Sequence, residues 1–201
     1  SRLSRGLGDV YKRQHFRSLP MLAEFTSDQF YKNETSDSGL RIMTALPDKK
    51  AINAFQEIEV QTKREKNSQI NKGEVDRAFK IIASIISEKP NKDTSQVFEI
   101  PDLQNRKISL GVVCFIRDQV NYMKDEAEKR FDDEQREKIS LMIGTPEEFQ
   151  GNERDIMIFT PAIDENQKRS RAFMEDSNRF NVATSRSKYF TFFVHGKIPS
   201  N

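Results

Sequence analysis

Residues 147–159 read Glu-Glu-Phe-Gln-Gly-Asn-Glu-Arg-Asp-Ile-Met-Ile-Phe, and the residues able to do chemistry stand just ahead of the apolar run. Gln150 supplies an amide and Glu153 a carboxylate. Gly151 between them lets the backbone bend or come close to a ligand. That set suits a sugar hydroxyl or a phosphate-bound water. It equally suits a plain polar turn whose Glu153 pairs with Arg154. Arg179 and Arg186 form a second constellation: seven residues apart, they share one face of a helix, two turns from each other. The alternative for each arginine is a surface ion pair with Glu175, Asp176 or Glu153, worth little energetically.

Other chemistries are poorly served. Cys114, the one cysteine, lies in an apolar run, so neither a disulfide framework nor a Cys-based zinc site can be built. The two histidines, His15 and His195, are far apart, which argues against a His metal site. Glu147, Glu148 and Asp155 have neither the lysine after a strand pair nor the His cluster that a nuclease would use. The phosphate loop G-x-x-x-x-G-K-[ST] occurs nowhere, and no D-E-x-x magnesium motif follows a strand. A hydrophobic content of 35% and a charged content of 32% describe a soluble globular chain. No apolar run reaches the roughly 18–20 residues that cross a bilayer, and there is no secretory segment. The expectation is a cytosolic or nuclear protein with no membrane partner.

The elements that must position these residues follow from periodicity. Residues 54–60 alternate as a short strand does, and 61–73 read as a solvated loop. Asn71 with Glu74 resembles a capping box. Behind it Val75, Phe79, Ile82 and Ile86 form one helical stripe that ends near Lys89-Pro90, before a linker to about Lys107. Residues 108–116 are a continuous apolar run, as in a strand covered on both faces. They lead into a helix with Val120, Met123, Ala127 and Phe131 on one side. Strand-like segments recur at 139–143, 155–160 and 189–194, with a polar break at 144–154, a charged loop at 162–177 and a short helix over 178–187. An earlier helix is expected in residues 16–31. Buried strands alternating with amphipathic helices predict an α/β fold, a parallel sheet with helices on both faces.

Residues 4–14, S-R-G-L-G-D-V-Y-K-R-Q, resemble the translation of a sequencing-library adaptor. Residues 1–14 are therefore read as a non-native tail and 15–198 as one domain. The tail carries four basic residues and one acid; without it 29 Lys and Arg face 30 Asp and Glu. The net charge of +2 thus says nothing about partners.

Four segments then agree in order. G-T-P-E-E-F-Q-G-N-E-R-D-I-M-I-F-T, from Gly144, resembles motif V of superfamily 1 helicases of the nonsense-decay type. N-R-F-N-V-A-T-S-R-S-K, from Asn178, resembles their motif VI. S-L-G-V-V-C-F-I-R-D-Q-V is similar to a strand and helix start written G-V-[IV]-x-P-Y-x-x-Q, with Phe115 and Ile116 replacing the Pro-Tyr pair. H-F-R-S-L-P resembles the Y-R-M-x-P segment that opens the second motor domain, with Phe16 and Ser18 in place of Tyr and Met.

The resemblance implies a RecA-like second motor domain of a P-loop helicase, gripping ATP and Mg2+ together with a first RecA-like domain that holds most of both. Arg186 matches the arginine finger of motif VI and Arg17 the second arginine reaching the γ-phosphate, roles worth roughly 10³–10⁵ in rate. Gln150, Gly151, Glu153 and Arg179 carry over as nucleotide-binding residues. Thr145 carries over as a contact to the backbone of single-stranded DNA or RNA, which positions a strand without reading its sequence. Lacking a phosphate loop, the chain is expected to be inactive by itself, its first RecA-like domain lying elsewhere in the same polypeptide. The alternative is a catalytically degenerate RecA-like domain that binds nucleic acid or serves as a scaffold.

Overall fold

A computed structural model describes residues 14–15, 41–42, 55–65, 68–162 and 186–197. Two strands of two residues, β1 (Gln14–His15) and β2 (Arg41–Ile42), pair in parallel. The main body is a five-stranded sheet: β3 (Phe55–Glu59), β4 (Leu110–Cys114), β5 (Met142–Gly144), β6 (Arg154–Thr160) and β7 (Ser187–His195). The strands lie in the order β3-β7-β6-β4-β5, all parallel. The helices are α1 (Lys72–Ser87), α2 (Ser95–Phe98), α3 (Arg117–Arg130) and α4 (Asp133–Lys138).

Crossovers between parallel strands are right-handed, so steps in one direction across a sheet pass over one face and return steps pass over the other. The steps β3 to β4 and β4 to β5 run one way and carry α1 and α3 on the same face. The step β5 to β6 runs back, and residues 145–153 cross the opposite face. Side chains sort accordingly. Leu110, Val112, Cys114, Ile156, Ile158, Phe190, Phe192 and Val194 join the α1 and α3 stripes in one core, while Val113, Phe149, Met157, Phe159 and Phe193 form a second. Phe149 settles on the sheet because Gly111 leaves room for it: a Cβ there would lie 2.7 Å from the Phe149 ring.

Helix α1 forms where the stripe placed it, and Ala78, Ile81 and Ile85 are buried as well. It ends in a left-handed Glu88 (φ 55°), with the Lys89 N–H donating to the Ser84 carbonyl at 3.1 Å, which is the Schellman arrangement. Two departures from the expected elements have simple causes. The stretch read as a linker contains α2 and a 3-10 turn, Pro101–Leu103, whose Val97, Ile100 and Leu103 are buried in the main core at spacings of three. The polar break contains another 3-10 turn, Pro146–Phe149, too short for periodicity to reveal.

Glu74 does not act as a capping-box residue. The Asn71 side chain caps the N–H groups of Gly73 and Glu74, but the Asn71 N–H donates to Gln119 Oε1 at 2.8 Å. The Glu74 carboxylate instead turns inward and accepts from four N–H donors: Ala162 N at 2.7 Å, Gly196 N at 3.0 Å, Asn71 Nδ2 at 3.1 Å and Gln119 Nε2 at 3.2 Å. Burial pushes its pKa up to about 7, against the pull of those donors. Cys114, equally buried, is pushed up to about 12 by burial, and its sulfur takes a hydrogen bond from Thr160 Oγ1 at 3.2 Å. No helix among the described residues is long and apolar enough to cross a membrane.

A folded-state pKa above the unfolded value means that Glu74 contributes stability that is complete below about pH 4.5 and is lost as pH rises through about 7. The expected loss is roughly 3 kcal/mol across that window. Denaturant unfolding of the wild type and of Glu74→Gln from pH 4 to 9 measures it: the difference between the two stability curves should shift by that amount, and parallel curves would reject the assignment.

Candidate nucleotide half-site

The segment that carries the first constellation starts at the carboxyl edge of the sheet. Gly144 pairs with Val113, and Val113 pairs with Phe159. Thr145 is therefore level with the far end of β6, about 17–20 Å along the strands from Arg154 at ~3.3 Å per residue. Thr145 heads the 3-10 turn and is 8% exposed. Its N–H donates to Glu148 Oε2 at 3.1 Å. Glu148 also accepts from Arg117 Nη1 at 2.6 Å, and that bond holds its carboxyl below the usual range.

From there the chain returns across the face to the amino edge. The Asn152 N–H donates to the Phe149 carbonyl at 2.9 Å, closing a turn whose central residues are Gln150 (φ −61°, ψ 116°) and Gly151 (φ 84°). This is type II geometry, which requires a positive φ at its third residue and so selects glycine. Gln150 and Gly151 are exposed, whereas the Glu153 side chain is only 19% exposed.

At the amino edge β6 and β7 start side by side. Arg154 pairs with Ser187, and the Arg154 N–H donates to the Arg186 carbonyl at 2.9 Å. Glu153 and Arg186, 33 positions apart in sequence, thus flank one pair of strand starts. Residues 186 and 187, expected at the end of a helix, are a turn residue and the first residue of β7; the paired β6 start draws them into the sheet. Arg186 Nε is buried without a hydrogen-bond partner among the described residues. Lys188 Nζ lies 3.9 Å from Glu153 Oε2. Arg17 and Arg179 lie outside the described residues.

Neighbouring charges serve the fold. Asp155, 3% exposed, accepts from Arg106 Nη2 at 2.7 Å and from Ser109 N and Oγ at 2.8 and 2.7 Å. Burial alone would raise its pKa; these bonds outweigh burial and hold it below the ordinary aspartate value. Glu148 and Asp155 are thus committed to different partners at opposite edges, and the carboxylates weighed for a nuclease do not converge. Among the described residues no group of three or more His, Cys, Asp and Glu could hold a metal ion.

A family model described as an AAA domain matches residues 10–197. The chain belongs to that family. This AAA domain is 25% identical over 197 residues to "Putative helicase mov-10-B.2" of Danio rerio, covering 90% of the chain and 18% of that relative. It is 23% identical over 194 residues to "Replicase polyprotein 1ab" of Alphamesonivirus 1, covering 94% of the chain and 3% of the polyprotein. The chain therefore spans less than a fifth of the length of either curated relative. Its fold matches the C-terminal domain of a possible DNA helicase from Lactobacillus plantarum WCFS1, with a TM-score of 0.51 and 13% identity over 90% of this chain and 87% of that one. The chain thus has the parallel α/β fold of that C-terminal domain.

Gly151→Ala should cost about 1–2 kcal/mol of unfolding free energy, all of it from the backbone, because an added Cβ meets no atom within 4 Å. Gly151→Asn should cost about half as much, since asparagine tolerates this region better. Denaturant titration of the two variants checks the order.

Proposed function

We propose that this chain is the second RecA-like lobe of an ATP-driven superfamily 1 motor of the nonsense-decay type, acting on single-stranded DNA or RNA. The observation that carries the reading is that Glu153 and Arg186 flank the paired starts of β6 and β7 at the amino edge, with Arg186 Nε buried and without a hydrogen-bond partner among the described residues. An arginine whose Nε is buried and unpaired is costly to keep unless an anion completes it. A triphosphate oxygen is a suitable partner, because charge-assisted bonds to guanidinium are strong and directional.

In ordinary doubly wound sheets the ligand sits at the carboxyl ends of the strands. Here Glu153 and Arg186 are at the opposite edge. That placement suits a shared site in which another lobe supplies the phosphate loop and the magnesium ligands while this one approaches from its amino edge. ATP bound between the lobes would supply the phosphoryl transfer that drives strand movement. The residues of this chain then have limited tasks: Arg186 neutralises charge on the transferring group, joined by Arg17, while Gln150, Glu153 and Arg179 orient the nucleotide. Thr145, at the carboxyl edge, is the proposed contact to the nucleic-acid backbone. The residues from Thr145 to Glu153 connect the two edges, so that nucleotide state and strand grip can influence each other.

Two measurements test this. ATP hydrolysis by this chain alone should be undetectable, and turnover by the isolated chain would reject the shared-site reading. In the complete two-lobed motor, Arg186→Ala should lower hydrolysis by about 10³-fold or more with nucleotide affinity retained. Activity within about twofold of wild type would reject the finger, since that corresponds to under ~0.5 kcal/mol at the barrier.

A further inference from the structure

Strand β4 has two neighbours in the sheet, β6 on one side and β5 on the other. After β4 the chain enters α3, whose Val120, Met123 and Ala127 pack into the core on one face. After β5 it enters the 145–153 segment, whose Phe149 packs into the core on the other. Adjacent strands whose connections part in this way open a crevice at the carboxyl edge where ligands bind. There Arg117, the first residue of α3, meets Glu148, from the turn that follows β5. Glu148 Oε1 accepts from Arg117 Nη1 at 2.6 Å, and Lys124 Nζ lies 4.0 Å from Oε2. Arg117 and Lys124 are seven residues apart, so they share one face of α3. Gly144 leaves the carboxylate its place, since a Cβ there would collide with Glu148 Oε2, and the Thr145 N–H donates to that oxygen.

Both cations are turned to solvent: the side chains of Arg117 and Lys124 are 60% and 48% exposed. Among the described residues Glu148 is the acidic partner of each, and neither has a second. A carboxylate and a phosphodiester each offer one negative charge to the same N–H donors, so a place that holds one can take the other. An ion pair this open to water contributes little and is readily exchanged, whereas a strand that takes up two cations gains by releasing its own counterions. We propose that Arg117 and Lys124 are phosphate ligands for the single strand, and that Glu148 is their internal stand-in, pairing with them while the strand is absent and yielding them to its phosphates. The grip proposed for Thr145 thereby extends from β5 onto α3.

This inference rests on the proposed two-lobed motor, and the experiment separates the two. In the complete motor, affinity for a fluorescent oligothymidylate and oligouridylate is measured against salt for Arg117→Met, Lys124→Met, Glu148→Gln and the triple variant, with thermal unfolding to confirm that each is folded. Each single cation variant should weaken binding about fivefold and flatten log Kd against log salt by about 0.7, the share of one phosphate on a single strand. Glu148→Gln should tighten binding about threefold, within what a surface ion pair is worth, because the amide no longer competes with phosphate. That gain should vanish in the triple variant, where no cation is left to release. Wild-type affinity and slope in either cation variant, or binding by Glu148→Gln no tighter than wild type, overturns the proposal. So does a loss of affinity for a non-hydrolysable ATP analogue in place of the strand, which would make the nucleotide the anion these residues take. If the wild-type motor binds neither oligonucleotide, the strand-binding reading itself fails, and this inference with it.

Discussion

The Glu74 carboxylate ties together parts of the chain that are far apart in sequence. It accepts from the start of α1 through Asn71, from α3 through Gln119, and from the segments just beyond β6 and β7 through Ala162 and Gly196. Gln119 extends the network by donating to the Thr160 carbonyl at 3.1 Å. These contacts lie at the carboxyl edge between β4 and β6, where a doubly wound sheet opens its ligand crevice. Here that crevice is filled by the protein's own Glu74 side chain. The N–H donors gathered there are already satisfied.

With one edge sealed, the residues from Thr145 to Glu153 take on a mechanical meaning. They run the depth of the sheet and are held at each end: by Glu148 with Arg117 at the carboxyl edge, and by the Arg154–Arg186 backbone bond at the amino edge. Between these points Phe149 is fully buried against Val113, Met157 and Phe159. A close-packed interior is stiff, so displacement at one end is transmitted through Phe149 instead of being absorbed in a loose loop.

Much of this was legible in the residues. The stripe of Val75, Phe79, Ile82 and Ile86 announced itself through periodicity, and the apolar runs of β4 and β6 and the phenylalanine-rich β7 through unbroken hydrophobicity, as strands buried on both faces show. Gly151 was legible as a bend but not as a type II turn, which depends on the Asn152–Phe149 hydrogen bond. The inward role of Glu74 was not legible: a glutamate three residues after Asn71 reads as a cap, and only the tertiary fold brings Ala162 and Gly196 to it. The β-bulge of β7 at Lys188 and Tyr189 was equally hidden, since it is a property of pairing with β6. The spacing of Val97, Ile100 and Leu103 did hold a signal for α2 that a charged, proline-containing context obscured. The four motif segments pointed to a P-loop helicase domain, and the family shown is an AAA domain, whereas Arg17 and Arg179 fall outside the described residues.

The burial of Cys114 has a practical side. A sulfhydryl attacks alkylating reagents only as thiolate, and this one sits in β4, an interior strand, with its ionisation pushed far above neutral pH. It is also the chain's single cysteine. The folded molecule should therefore be chemically silent toward maleimides, so a cysteine engineered at a surface position could carry a fluorophore without competition, and any labelling of the native residue would record the sheet coming apart at its centre.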